Sequence, residues 1–418
     1  MLEKLRLRII SSKDGRALVS NLGYLSLLQI ASYIFPLITV PYLARVIGTV
    51  GFGKVAFASA VITWFISIVT WGFDYTATRD VARDKDDIDK ISETFSNVFW
   101  TRFFLTVICL AILILLIVLI PKFKANASVL LVTFLLVLGH VMFPEWLFQA
   151  LERMRYITIL NLLSKILFTI AVFLFVKEPS DYILQPFFLS LGYILSGIMS
   201  MYIILVRWGV KLRLPSLRLI FETLKNGLDV FVNNFVSNLY NNLSIVILGF
   251  YSGNIANGLF DAGQKFIDVA IRFLNILSRA FFPFLSRRID KHNLYAILNI
   301  SVGVFSSLLL FIFAPLLIKW FYTPDFIDAI TVLRVLAISI VFLCMNNVYG
   351  VNYLILQGHE IIVRNISVVC SVAGLFLAFI LIPKLSFVGA AITILISRAS
   401  TGLLIMFNAI RIKRINNF

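Results

Sequence analysis

Charged residues are scarce in this sequence of 418 residues, and cysteine and histidine are scarcer still. Only 14% of the residues are charged, against about 25% in soluble domains. The three cysteines lie in apolar stretches and the three histidines are scattered, so neither type has the spacing of a disulfide framework or a metal site. The longest charged segments between the apolar stretches are 74–102 and 207–229, and both are too short for a soluble catalytic domain. The composition therefore excludes a soluble enzyme and a classical nucleic-acid-binding protein.

Recognised catalytic motifs are also missing. The nearest match to one is GTVGFGKV at 48–55, which approaches the P-loop pattern. Val55 replaces the hydroxyl that would hold magnesium in a P-loop, and no strand precedes the glycines. We interpret the segment as a glycine-rich connection between two helices. The sequence predicts no catalytic residue, no metal site and no cofactor.

Long apolar runs make up most of the chain. Hydrophobic residues are 60% of the total, and the mean hydropathy is +0.96. A membrane-spanning helix needs about 20 mostly apolar residues. Nine runs carry no charge, and three more are apolar but carry internal charges: 156–176, 257–284 and 385–410. Together these runs predict an all-α polytopic membrane protein with twelve transmembrane helices. The charge-free runs are 17–44, 55–73, 103–121, 125–144, 182–206, 230–260, 293–318, 335–359 and 365–383.

The distribution of lysine and arginine predicts the orientation of these helices. The N-terminal segment, the loops after even-numbered helices and the C-terminal segment hold 23 of them, and the loops after odd-numbered helices hold six. The positive-inside rule then places both termini in the cytoplasm. This topology signal accounts for most of the net charge of +16.

Two short patterns recur about half a chain length apart. Gly48 and Gly53 have the spacing of Gly253 and Gly258, and LFQALE at 147–152 resembles ILQGHE at 355–360. The repeat predicts two six-helix lobes, 1–210 and 211–418, around a central polar cavity. An even number of helices per half makes the repeat parallel, a symmetry that is common in transporters whose halves rock about a central site.

The helix predicted at 257–284 carries the strongest site signal. Its polar residues all lie within about 100° of one face, and we call them the polar stripe. Five of them are charged, and a charge at mid-bilayer costs roughly 2.5–3.5 kcal/mol. The stripe therefore either lines a polar interior or forms an ion-pair seam between helices, with Asp261–Lys265 and Asp268–Arg272 as i,i+4 pairs. The members of the polar stripe are Asn257, Asp261, Gln264, Lys265, Asp268, Arg272, Asn275 and Arg279.

Further candidates lie on other predicted helices. Lys165 and Arg398 are near the middle of their helices, and Arg334 lies in the outer half of another. Together with the polar stripe, these cations outnumber the acids at similar depth, so the interior field is expected to favour an anion. Amides on the preceding helix could contact sugars, although they spread too widely for one narrow face; the candidates are Asn234, Asn238 and Asn241, with Gln264 and Asn275 of the polar stripe.

Four segments together resemble the bacterial O-antigen repeat-unit flippases, the polysaccharide-transporter branch of the multidrug/oligosaccharidyl-lipid/polysaccharide superfamily. The resemblance spans essentially the whole chain. It implies twelve helices in two lobes with a cationic central cavity, in the bacterial inner membrane. The segments are FPLITVPYLARVIG at 35–48, GFDYTATR at 72–79, PEWLFQ at 144–149 and FPFLSR at 282–287.

The resemblance also implies a substrate, an undecaprenyl-pyrophosphate-linked oligosaccharide that moves from the cytoplasmic to the periplasmic leaflet. Its pyrophosphate would meet the cavity cations, which include Arg45, and its tail would stay among the membrane lipids. Because no ATP site exists, the energy source is expected to be a H⁺ or Na⁺ gradient or the consumption of product. Asp261, Asp268 and Asp74 are the candidate coupling carboxylates. A polysaccharide polymerase and a chain-length regulator are the expected partners.

Two other classes stay open on the sequence. A multidrug cation antiporter of the same superfamily should have an interior dominated by acids. A membrane glycan polymerase or ligase should carry a large outer loop with arginine or histidine. Neither feature is evident in this sequence.

Overall fold

A computed structural model of the chain describes residues 13–237 and 239–415, and every regular element in these residues is helical. The composition explains this, because apolar segments of this length satisfy their backbone hydrogen bonds in lipid only as helices or closed barrels. The α-helices are α1 (Lys13–Thr70), α2 (Phe73–Arg83), α3 (Ile88–Leu119), α4 (Pro121–Ala125), α5 (Ala127–Met142), α6 (Glu145–Ala150), α7 (Met154–Phe175), α8 (Leu184–Tyr202), α9 (Leu217–Ser237), α10 (Leu239–Arg287), α11 (His292–Phe321), α12 (Ala329–Met345) and α13 (Glu360–Ile415).

Nine helical segments of the described residues are long and apolar enough to cross a membrane. Three of them, Leu27–Arg83, Leu243–Arg287 and Glu360–Lys413, have 57, 45 and 54 residues. One crossing needs about 20. The chain is therefore an all-α, multi-pass membrane protein, as the sequence predicts. The exact count of twelve crossings stays a prediction.

A single left-handed residue bends each of the three longest helices. Gly48 bends α1 (φ 62°, ψ −177°), Gly253 bends α10 (φ 86°, ψ −176°), and Ser386 bends α13 (φ 52°, ψ −132°). Glycine adopts a positive φ without the steric cost of a Cβ atom. The two glycines share nearly the same backbone conformation, and they are the first residues of the repeated glycine pattern found in the sequence.

Past these bends, α1 and α10 approach each other at backbone distance. A Cβ atom built on Gly53 would lie 1.6 Å from the carbonyl oxygen of Asn254, and one on Gly258 would lie 2.5 Å from that of Thr49. Only glycine leaves room for this approach. The glycine spacing therefore has a packing function as well as a bending function.

The chain divides by spatial proximity into two compact units. The first unit runs up to Val46 and continues over Val61–Val232. The second unit comprises Ile47–Ala60 and the chain from Asn233 onward. The predicted lobes 1–210 and 211–418 stay a prediction.

Two helical runs in the first unit are interrupted. Between α1 and α2, Trp71 (φ 47°) and Gly72 (φ 78°) are both left-handed. Between α5 and α6, the chain leaves the helix at Phe143 and Pro144, inside an apolar segment long enough to be one span, Ala127–Ala150. Helices α2 and α6, which follow the two interruptions, pack against each other. The Thr78 hydroxyl donates a hydrogen bond to the Trp146 carbonyl across this contact (3.2 Å).

Candidate functional site

The polar stripe lies on α10, beyond the bend at Gly253. Three apolar residues at seven-residue spacing, Phe260, Ile267 and Leu274, are buried inside the second unit. Seven residues make nearly two full helical turns, so these side chains share one face. Packing of this apolar face fixes the rotation of the helix and therefore the direction of the stripe.

The half of the stripe that is nearer Gly253 forms a mixed-charge cluster. Lys265 Nζ lies 3.1 Å from Asp261 Oδ1, so the first predicted i,i+4 pair is present. Asp268 lies within electrostatic range of both residues and of Arg272 and Arg398. Arg398 comes from α13, which packs along α10. Three cations thus surround two carboxylates, and the cluster carries a net positive charge when all five are ionised.

Arg398 carries a buried guanidinium group. The residue is 7% exposed, and its Nη1 donates a hydrogen bond to the Ser339 hydroxyl on α12 (2.9 Å). Within the described residues, its Nε has no hydrogen-bond partner. A buried charge is costly unless its donors are satisfied. The site therefore favours an additional acceptor next to Arg398.

Arg272 and Arg279 continue the stripe toward the end of α10. Both are exposed, and neither has an ion-pair partner within 4.0 Å in the part of the chain that the structure describes. The second predicted pair, Asp268–Arg272, is therefore not closed to ion-pair distance. Seven residues separate Lys265 from Arg272 and Arg272 from Arg279, which is about 10 Å at 1.5 Å per residue. An anion moving along the stripe would meet a cation at each such step.

Amide side chains accompany the charges. The Oδ1 atom of Asn275 accepts a hydrogen bond from Asn347 Nδ2 (3.1 Å). Asn257 is fully buried, and neither amide atom has a partner among the described residues; the same holds for Oε1 of Gln264. Of the other sugar-contact candidates, Asn238 and the side chains of Asn234 and Asn241 lie outside the described residues.

Asn347, the partner of Asn275, was not among the predicted site residues, and it lies on a π-helix over Asn346–Ile355. Asn352, fully buried, donates hydrogen bonds to the hydroxyls of Ser278 (2.6 Å) and Tyr295 (2.9 Å). A π-helix within an α-helical segment often marks a functional site. The available signal was the pair of adjacent asparagines inside the charge-free run 335–359.

The remaining candidate site residues are Arg334, Lys165, Arg45 and Asp74. Arg334 Nε donates to the Phe311 carbonyl (3.3 Å), and the guanidinium lies 5.4 Å from the centre of the Phe311 ring. Lys165, Arg45 and Asp74 belong to the first unit. Asp74 forms an ion pair with Arg102 at 2.6 Å, in which the Arg102 side chain is 4% exposed and that of Asp74 is 53% exposed.

Solved structures of transporters share this fold. The lipid II flippase MurJ in its inward closed conformation matches with a TM-score of 0.71 and 15% identity, over 91% of this chain and 87% of that one. An inward-facing multidrug resistance MATE family transporter of the MOP superfamily matches with a TM-score of 0.59 and 14% identity, over 94% of this chain and 95% of that one. The chain therefore shares its fold with these two transporters.

The amino-acid sequence gives the family. Residues 18–289 match the family described as polysaccharide biosynthesis protein. The match covers more than half of the chain, so the chain belongs to this family. Two relatives bear the name "Putative O-antigen transporter": one from Escherichia coli (strain K12), 29% identical over 93% of this chain and 95% of its own length, and one from Shigella dysenteriae, 26% identical over 90% and 96%. These findings confirm the resemblance drawn from the sequence motifs.

Proposed function

We propose that this protein is a flippase for lipid-linked polysaccharide precursors. It carries an undecaprenyl-pyrophosphate-linked oligosaccharide from the cytoplasmic to the periplasmic leaflet of the bacterial inner membrane. The observation that carries the proposal is the cationic cluster on α10 and α13, where the buried Nε of Arg398 has no hydrogen-bond partner among the described residues. The names of the two sequence relatives and of the MurJ flippase support it.

The chemistry of the substrate matches the residues of the stripe. A pyrophosphate is recognised by arginine forks and lysine ammonium groups, which form charge-assisted hydrogen bonds with its oxygens. Amides such as Asn275 and Asn347 can both donate to and accept from sugar hydroxyls. The polyprenyl tail needs no protein site, because it stays in lipid while the head group crosses.

Alternating access completes the proposal. If each of the three bent segments in the described residues crosses the membrane twice, the nine segments make twelve crossings, six in each proposed lobe, 1–210 and 211–418, around a central polar cavity. Transport is then driven by a H⁺ or Na⁺ gradient, with Asp261, Asp268 and Asp74 as candidate coupling groups. A polymerase and a chain-length regulator would take up the product.

Transport in proteoliposomes tests the proposal. Purified protein is reconstituted with a fluorescent polyprenyl-pyrophosphate oligosaccharide, and the fraction that is accessible to an external quencher is followed. We expect protein-dependent flipping of this lipid. A neutral glycolipid with the same sugar and tail is the matched control and should not move. Flipping of both lipids, or of neither, would contradict an anion-selective flippase, and uptake of a cationic dye alone would indicate a multidrug antiporter.

Reporter fusions test the orientation. A reporter inserted near Lys211 should read cytoplasmic and one near Gly253 periplasmic, because lysine and arginine concentrate in the loops assigned to the cytoplasm. Paired alkaline phosphatase and green fluorescent protein fusions at each position give opposite signals for the two sides. The same side for both positions would overturn the proposed topology.

A further inference from the structure

The two interrupted helical runs of the first unit bring titratable side chains together. Glu145 is the first residue of α6, directly after the break at Phe143–Pro144, and Asp74 lies in the first turn of α2, directly after the break at Trp71–Gly72. Glu145 lies within electrostatic range of Asp74, Arg102 and Lys165. In membrane transporters, interrupted helices typically carry the sites for substrates and coupling ions.

The carboxyl group of Glu145 accepts a hydrogen bond from a neutral side chain. Asn161 Nδ2 donates to Glu145 Oε1 at 2.9 Å, and Asn161 is 6% exposed. An asparagine amide carries both a donor and an acceptor. It can therefore donate a hydrogen bond to a carboxylate or accept one from a protonated carboxyl group. Asn161 therefore does not fix Glu145 in one protonation state.

Arg102 forms an ion pair with Asp74 and lies within electrostatic range of Glu145. Its Nη2 is paired with Asp74, while its buried Nε has no partner within the described part of the chain. Its guanidinium also lies 5.9 Å from the centre of the Phe73 ring, at the start of α2. A change of charge on Glu145 therefore acts on the side chain that holds the beginning of α2.

We propose that Glu145 is the proton-binding group of the first unit and that the Arg102–Asp74 pair responds to its charge. The inference rests on the proposed ion-driven flippase and adds Glu145 to the candidate coupling groups. Glu145 binds one proton from water on one side of the membrane, becomes neutral, and releases that proton on the other side. While Glu145 is ionised, it attracts Arg102; once it is neutral, Arg102 pairs with Asp74 alone.

The surroundings favour a proton over a sodium ion. A hard metal cation is held by several oxygen ligands, whereas a proton needs one carboxylate. The charged and titratable groups that face Glu145 include two cations, Lys165 of α7 and Arg102 of α3, and His140 of α5 lies in the same electrostatic network. In the described residues, no three His, Cys, Asp or Glu side chains are grouped as metal ligands.

Infrared difference spectroscopy tests the proton site without any substrate. Purified protein in lipid is shifted between two pH values, and the carbonyl band of protonated carboxyl groups is recorded. The wild-type protein should show a band that Glu145→Gln removes and Glu145→Asp moves. Glu93→Gln, which alters an exposed carboxylate of the same unit, is the matched control and should keep the band. A band that survives Glu145→Gln would overturn the inference.

Transport tests the coupling. In proteoliposomes, a pH gradient should accelerate flipping by the wild-type protein, by Glu145→Asp and by Glu93→Gln. Glu145→Gln should lose this response, with equal rates with and without the gradient. An unchanged response of Glu145→Gln, or a response to sodium alone, would overturn the inference and leave the flippase intact. A wild-type protein that shows the Glu145 band but moves no glycan would instead contradict the proposed function and keep the proton site.

Discussion

Replacing Arg272 with alanine is expected to reduce surface polysaccharide to roughly a tenth or less while the amount of folded protein stays near normal. Arg272 is exposed, lies in the middle of the three stripe cations and has no close ion-pair partner among the described residues. Its removal therefore strands no partner at ion-pair distance. A hydrogen bond to a charged group contributes about 1.5–3 kcal/mol, which corresponds to roughly a 10- to 150-fold loss of binding. Complementation of a flippase-deficient strain measures the polysaccharide, and an immunoblot of the membranes measures the protein.

Three further variants separate substrate binding from structural pairing. Arg272→Lys should rescue partly, because lysine keeps the charge and loses the bidentate fork. Arg364→Ala removes an exposed arginine at the start of α13 and is the matched control, which should stay active. The double variant Asp268→Asn with Arg272→Gln removes both charges. If it were fully active, helix α10 would not be part of the substrate path, and the ion-pair seam would be the better account.

Replacing Gly53 with alanine is expected to cost more than about 3 kcal/mol, so that little folded protein remains. Added volume in a packed core typically costs about 1–3 kcal/mol when side chains can give way. Here the added methyl group would lie 1.6 Å from the backbone oxygen of Asn254. The two helices would have to separate, because a carbonyl oxygen cannot rotate out of the way. Thermal unfolding in detergent and the yield of monodisperse protein measure the loss.

Gly23→Ala is the matched control for this prediction. Outside its own stretch of helix, no described atom lies within 4 Å of a Cβ atom built on Gly23. Alanine is favoured over glycine inside a helix by about 1 kcal/mol. This variant should therefore be at least as stable as the wild-type protein. If Gly53→Ala also had wild-type stability, the close approach of α1 and α10 would be wrong.

Much of the fold could be predicted because lipid imposes simple constraints on a sequence. Backbone groups in lipid must be satisfied within helices or closed barrels, and the length of the apolar runs, without the alternation of barrel strands, predicted an all-helical membrane protein. The glycine-rich segment at 48–55 was predicted to connect two helices, and Gly48 is indeed the bend of α1. Gly253, its counterpart in the repeat, is the bend of α10. Helical spacing also predicted the Asp261–Lys265 pair, because i,i+4 neighbours are fixed by the helix itself.

The contacts that sequence reasoning missed join residues far apart in the chain. Arg398 and Ser339 are separated by 59 residues, and only the packing of α12 and α13 brings them together. The π-helix at Asn346–Ile355 leaves no mark on an apolar pattern, since the whole run is charge-free. Pro144 indicates a helix break just before Glu145 in the sequence. The hydrogen-bond partner of Glu145, Asn161, lies on another helix, so no local pattern reveals it.

The segment Ile47–Ala60 has a consequence for the order of synthesis. It is made early, yet it packs within the second unit, where Phe52 meets Tyr322 and Phe326 edge to face. At about 5–20 residues per second, the ribosome reaches Tyr322 roughly 15 to 50 s after Phe52. During this interval the Phe52 ring lacks the contacts with Tyr322 and Phe326 that it makes in the folded protein. If the protein were produced as two fragments divided after residue 210, the second fragment would lack Phe52. That fragment would fold completely only in the presence of the first.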